Sequence, residues 1–115
     1  MTDMPTIERG REPKVYSGNR GRLATLVEVR QRGVARPLEL CLDLFNHSPT
    51  GFEWGYRGSG PAQLALAILA DHLGEDAAAV RLHQQFKWSV IGKFTRAGWR
   101  LSSREIDRWL AEREE

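Results

Sequence analysis

The stretch of this sequence most like a ligand-binding device is Arg57-Gly58-Ser59-Gly60-Pro61. A glycine-rich turn that opens a helix leaves backbone N–H groups free to cradle a phosphate or carboxylate, and an adjacent arginine adds charge. The turn lacks the Gly-Lys-Ser/Thr ending of a Walker loop and the Gly-x-Gly-x-x-Gly spacing of a dinucleotide site, and Pro61 removes one donor. The simpler expectation is a tight turn that lets a helix dock against the segment before it. Ser59 is not framed as Gly-x-Ser-x-Gly, and 115 residues cannot build the α/β-hydrolase scaffold around it.

The other reactive side chains are scattered. His47, His72 and His83 show no His-x-x-x-His spacing and no cysteine at ligand distance along the chain. A structural metal needs about four ligands, so none is expected, nor any cofactor. Cys41 lacks a neighbouring histidine or helix start to lower its pKa and reads as a packed thiol. Asp43 and Glu53 are carboxylates that nothing pairs. These residues predict no enzyme.

Charge is more informative. The net charge is only +2, from 17 basic and 15 acidic residues, but it is unevenly spread. From Arg9 to Arg36 there are eight basic residues against Glu12 and Glu28, and from Arg81 to Arg104 six with no acid. Such a distribution could make a basic face for an anionic partner. The fourteen arginines against three lysines suit bidentate contacts to carboxylate or phosphate, although a GC-rich genome gives the same bias. The residues expected to touch a partner are Arg20, Arg22, Arg30, Arg32, Arg57, Lys87, Trp88, Lys93 and Arg96. Trp88 is singled out because a regular helix turns it about 160–200° from Phe86 and Val90, away from the expected buried stripe. An exposed tryptophan beside a lysine is a natural interaction anchor.

These side chains need a scaffold. Met1 to Pro13 has no periodicity and reads as a tail, followed by one domain over residues 14–115. Lys14-Val15-Tyr16 is a short strand closed by the turn cluster Ser17-Gly18-Asn19. Leu23 to Arg32 alternates, with Thr25, Val27 and Val29 on one face, and ends in Gln31-Arg32-Gly33. Leu38, Leu40, Leu42 and Leu44 share one parity, which predicts a strand hairpinned to the previous one. Phe52, Trp54 and Tyr56 alternate in a further short strand and should share one fate, the core. Set on a sheet face with Arg22, Arg30 and Arg57, Trp54 and Tyr56 would instead stack bases.

From Pro61 to Leu73 the chain is apolar nearly all round, which predicts a buried helix stopped by Gly74. A second helix runs from about Asp76 to Phe86, or on to Ile91, with Leu82, Phe86 and Val90 inward. Trp99-Arg100-Leu101 is a last extended piece. Ser102-Ser103-Arg104-Glu105 has capping-box spacing and opens a third helix ending near Glu112. The class expected is α+β: a three- to four-stranded antiparallel sheet followed by a buried central helix and two further helices. An open sheet edge near Tyr16 or Val34 could pair two copies.

Apolar residues make up 41% of the chain, too many for a disordered protein, and no run approaches the length of a membrane span. A polar start without an apolar leader and a single cysteine predict a cytoplasmic protein with no membrane partner.

The block Gly51 to Gly74, GFEWGYRGSGPAQLALAILADHLG, with Tyr16 to Arg20 upstream and Phe86-Lys87 and Trp99 to Leu101 downstream, resembles a family of small uncharacterised proteins from bacteria, phages and mobile elements. The likeness spans about Tyr16 to Leu110. It implies a mobile-element setting and no activity. The expected function is a small non-enzymatic protein that occludes a host protein or nucleoprotein complex, in the manner of an anti-CRISPR inhibitor. A nucleic-acid-binding accessory protein, and a small enzyme or anion-binding domain at Gly58–Pro61, are the alternatives.

Overall fold

Thr25, Val27 and Val29 point one way because a strand alternates its side chains, and that face is the buried one. In the computed structural model, which describes residues 13–113, the strand they form is β2 (Thr25–Gln31). It pairs antiparallel with β1 (Val15–Arg20) and β3 (Val34–Pro37). The chain returns after two helices to add β4 (Gly98–Ser102) on the far side of β1, so the order is β3-β2-β1-β4. The fold is α+β, with a four-stranded antiparallel sheet and three helices. Met1–Glu12 of the expected tail lie outside the described residues. No helix among those described is long and apolar enough to cross a membrane.

Register sets what the sheet offers its helices. Tyr16 stands opposite Val29 and Leu101, and Gly18 opposite Val27 and Trp99, so these six share the inner face. Gly18 is required by its neighbour: a β-carbon there would stand 2.4 Å from Trp99 Nε1. The outer face carries Asn19, Leu26, Arg30 and Arg100, all exposed.

The inner face receives α1 (Ser59–Leu73), buried from Gly60 through Leu69. Gly74, with φ of 67°, ends it by returning its N–H to the Ala70 carbonyl. Helix α2 (Asp76–Ser89) packs beside it, with Ala79, His83 and Phe86 buried. The inward stripe therefore runs through His83; Leu82 and Val90 sit at its half-buried margins. A 3-10 turn, Ile91–Lys93, leads to β4. In α3 (Ser103–Arg113) the capping box forms as its spacing predicts. Glu105 Oε1 accepts from Ser102 N–H at 2.9 Å, and Ser102 Oγ accepts from Glu105 N–H at 3.1 Å. Trp109 packs edge-on against Phe86 and donates from Nε1 to Ser89 Oγ at 2.8 Å.

Four expectations are corrected. Leu38 to Leu44 is not a strand: after one further ladder bond, from Leu38 N–H to the Val27 carbonyl, the chain leaves the sheet and turns at Cys41, whose φ is 58°. The hairpin partner of β2 is β3. Phe52 to Tyr56 is not a strand either. Gly55, at φ of 85°, breaks the alternation, so Phe52 and Trp54 are core while Tyr56 is 45% exposed. The first strand does not stop at Ser17 but runs to Arg20. Tyr16 consequently lies in an interior strand, paired on both sides, and offers no free edge; Val34 lies on the exposed edge strand β3, which is short and ends in Pro37.

One amide ties the irregular 38–58 connection to α1 by hydrogen bonds, beside the packing of Leu38, Phe52 and Trp54 on the core. Gln63 is fully buried. Its Nε2 donates to the carbonyls of Leu40, at 2.6 Å, and Phe45, at 3.0 Å. Its Oε1 accepts from the N–H groups of His47, at 2.7 Å, and Ser48, at 3.1 Å. A buried backbone group without a partner costs about 1–3 kcal/mol. Gln63→Leu keeps the volume and strips the partner from four such groups, so a loss of about 3 kcal/mol or more is expected in urea unfolding. A loss below about 0.5 kcal/mol, the size of an ordinary surface change, would show that the connection does not depend on this amide.

Candidate interaction surface

The nine residues expected to meet a partner fall in separate places. Arg22 lies in the β1–β2 turn, Arg30 on the outer sheet face and Arg32 in the β2–β3 turn. Arg20 is spent inside the protein. Its Nη1 and Nη2 grip Glu53 at 3.0 and 2.8 Å, its Nε donates to the Arg96 carbonyl at 2.7 Å, and its guanidinium lies 4.7 Å from the centre of the Trp54 ring. The hydrogen bond from Arg20 holds the Glu53 carboxyl below the usual carboxylate range, against a smaller opposing effect of burial.

Arg57, Lys87, Trp88, Lys93 and Arg96 belong to one neighbourhood. Gly55 N–H donates to the Ile91 carbonyl, which lays the 55–57 loop along the 91–96 segment. A β-carbon on Gly55 would stand 3.0 Å from Arg96 Cγ, and one on Gly92 would stand 2.9 Å from Arg57 Cγ. Arg57 then reaches the end of α2, donating from Nε to the Trp88 carbonyl at 3.3 Å and stacking its guanidinium 4.6 Å from the indole centre. Trp88 is 57% exposed, and exposed Tyr56 precedes Arg57. A stack of this kind is worth about 0.5–1 kcal/mol when exposed, and it fixes two side chains that would otherwise lose rotamer freedom on binding.

The residues proposed to stack bases on a sheet do not share a face: Trp54 is fully buried, while Arg30 lies on the sheet's other side. At Gly58–Pro61, Gly60 is demanded by packing, since a β-carbon would stand 2.6 Å from Glu53 Cβ. Arg57 leaves that turn for Trp88.

A cavity of about 330 Å³ opens between the 36–41 segment and α1, lined by Arg36, Leu38, Glu39, Cys41, Asp71 and Asp76 among others. Two of its polar groups, Arg36 and Asp71, are occupied with each other. Asp71 accepts from Tyr16 Oη at 2.6 Å, Arg36 Nη2 at 2.8 Å and Lys14 Nζ at 3.1 Å. Burial raises the Asp71 carboxyl, but these donors outweigh it and hold it low. Burial, then the negative charges of Asp43 and Glu39, push the Cys41 thiol up, which keeps it protonated and unreactive.

The sequence reading missed a histidine pair. His47 Nε2 and His83 Nε2 lie 2.9 Å apart, with Phe45 stacked on His47 at 4.2 Å. The contact of His83 Nδ1 with the Val80 carbonyl at 2.6 Å requires a proton on Nδ1, so in the neutral pair His47 donates to His83. Thirty-six residues separate the two rings, so no local spacing announces them. Among the described residues no group of three or more His, Cys, Asp or Glu side chains gathers to hold a metal.

Scaffold and surface define a small α+β protein that carries an exposed arginine–tryptophan stack. The chain belongs to DUF6166, a family of unknown function, whose family model matches residues 16–112. No curated protein and no solved structure matches it.

The histidine pair gives this surface's neighbouring connection a pH response. Burial, then His83 and Lys87, lower the His47 pKa. The unfolded chain therefore binds more protons than the folded one as pH falls through the ordinary imidazole value of about 6.5. Stability is lost on acidification until the lowered folded value is passed. His47→Gln keeps an Nε2–H donor and removes the titration, so it should gain relative to wild type between about pH 7.5 and pH 5. A difference in urea midpoint that stays constant across that range would remove His47 from the response.

Proposed function

We propose that the protein is a non-enzymatic binding module that acts by covering an acidic surface of a protein or nucleoprotein partner. The observation that carries this reading is the Arg57–Trp88 stack, assembled from two distant segments and held in place before any partner arrives. An exposed tryptophan braced by an arginine is the composition of an interaction hot spot. Its surroundings supply Lys87, Lys93 and Arg96, and no acid occurs between Arg81 and Arg104. The nearby carboxylate of Glu53 is already neutralised by Arg20. The finer assignment, an anti-CRISPR-like inhibitor of a host defence complex carried by a phage or mobile element, draws its support from the sequence resemblance and from this occlusion chemistry.

The test is capture of a partner from a lysate of a bacterium that carries the protein, repeated with Trp88→Ala and Arg57→Glu. Each should weaken the captured complex by about 2 kcal/mol, roughly thirtyfold, while stability falls by no more than the roughly 0.5–1 kcal/mol of the stack itself. Arg22→Glu, away from the stack, should have little effect. Capture that is indifferent to Trp88 and Arg57, or that Arg22→Glu abolishes, would refute this surface.

A further inference from the structure

A groove of about 380 Å³ runs along β4, the edge strand of the sheet, to α3, and takes in Ser89, Val90 and Lys93 of the 88–93 corner. Its floor is apolar: Val90, Phe94 and Leu101, with the edge of Trp109. Its rim carries Lys93, Arg100 and Arg108, all exposed, and none of their side chains makes an ion pair or hydrogen bond among the described residues. The two acids on the rim are engaged. Glu105 Oε1 caps α3 through Ser102, and Glu112 lies 3.6 Å from Arg113. An apolar trough whose rim carries three cations, with Glu105 turned to the helix cap and Glu112 beside Arg113, favours an occupant that brings apolar and acidic groups together.

We propose that this groove seats an acidic segment of the protein partner. An extended stretch would place an apolar side chain on the floor, with flanking carboxylates against Lys93, Arg100 and Arg108. The inference rests on the binding reading above and gives it a second contact, continuous with the Arg57–Trp88 side through the 88–93 corner. A nucleic-acid strand fits less well, because most of the aromatic faces here are taken. Phe94 stacks one face on Trp99 at 4.4 Å, and Trp109 is covered by Phe86 at 5.0 Å and by Arg113 at 4.5 Å. Only the second face of Phe94 is left, whereas a strand needs successive rings to stack on.

The probe is a fluorescein-labelled peptide of repeated Glu-Glu-Leu, followed by fluorescence anisotropy on the full chain. Three comparison probes replace leucine by serine, replace glutamate by lysine, or substitute labelled oligothymidylate. The Glu-Glu-Leu peptide should bind and the serine version should bind about tenfold more weakly, the share of an apolar side chain reaching a pocket. The lysine peptide should not bind. Arg100→Glu with Arg108→Glu, both on exposed side chains, should weaken the acidic peptide at least about tenfold with an unchanged unfolding midpoint. Trp88→Ala should leave peptide binding intact, which separates this groove from the stack read by lysate capture. The proposal is overturned if the acidic peptide does not bind, if the charge reversals leave it bound, or if oligothymidylate binds as well. In each of those cases the Arg57–Trp88 reading still stands or falls on its own capture assay.

Discussion

From Gly60 through Leu69 helix α1 has no side that faces water, so that stretch must be covered all round by other parts of the chain. That constraint organises the molecule. The sheet's inner face covers one flank and α2 another. The flank left over falls to residues 38–58, a segment with no regular structure and therefore with many backbone groups that a ladder does not satisfy. A buried irregular segment is costly unless its polar groups find partners. Gln63 resolves that conflict, since a single amide carries two donors and an acceptor with two lone pairs, matching two carbonyls and two N–H groups of the loop. The one polar side chain in the middle of the apolar helix is what allows the helix to be apolar elsewhere.

The same constraint explains where charge sits. At the far end of α1, Asp71 gathers Tyr16 and Lys14 from the β1 side and Arg36 from β3, so the sheet is fixed to the helix by a carboxylate as well as by packing. At the near end, Arg20 and Glu53 close the sheet corner over Trp54. Both clusters consume arginines that composition alone marks as free. The basic residues left outward are those whose elements lie beyond the reach of these carboxylates, namely the turns, the outer sheet face, and the 87–108 stretch.

Legibility followed locality. The capping box, the Gly74 stop, the buried helix and the exposure of Trp88 depend on residues within a turn or two of one another, and the sequence shows them. The leucine alternation from Leu38 was real but carried a different meaning. Leu38, Leu40 and Leu44 do pack on the core, yet Cys41 turns the chain and Leu42 is not among them. Period two reports one-sided burial of an extended chain; it does not report a ladder, which needs a neighbour with free edge groups. In the aromatic run, Gly55 sent Tyr56 to the opposite fate from Trp54, and a glycine inside an alternating stretch was the signal for that break. Gln63 had a signal too: a lone amide in an otherwise apolar helix must have a reason to be buried. Contacts such as Arg20–Glu53, His47–His83 and Arg57–Trp88 join residues more than thirty apart, and no spacing rule reaches that far.

The proposed interaction surface follows from where coverage of α1 ends. The 38–58 connection must return to the start of the helix, and Gly55 and Gly58 let it do so by passing tightly over the 91–96 segment and Tyr56. That close passage brings Arg57 to the end of α2 just where the helix has turned Trp88 outward. The arginine cannot go inward, because Glu53 is held by Arg20 and the helix start is packed against Glu53. Its remaining favourable partner is the indole face and the carbonyl beside it. With Glu53 already taken, this side chain becomes a solvent-facing cation braced on an indole, and such bracing is what the proposed anchor has beyond one more exposed arginine.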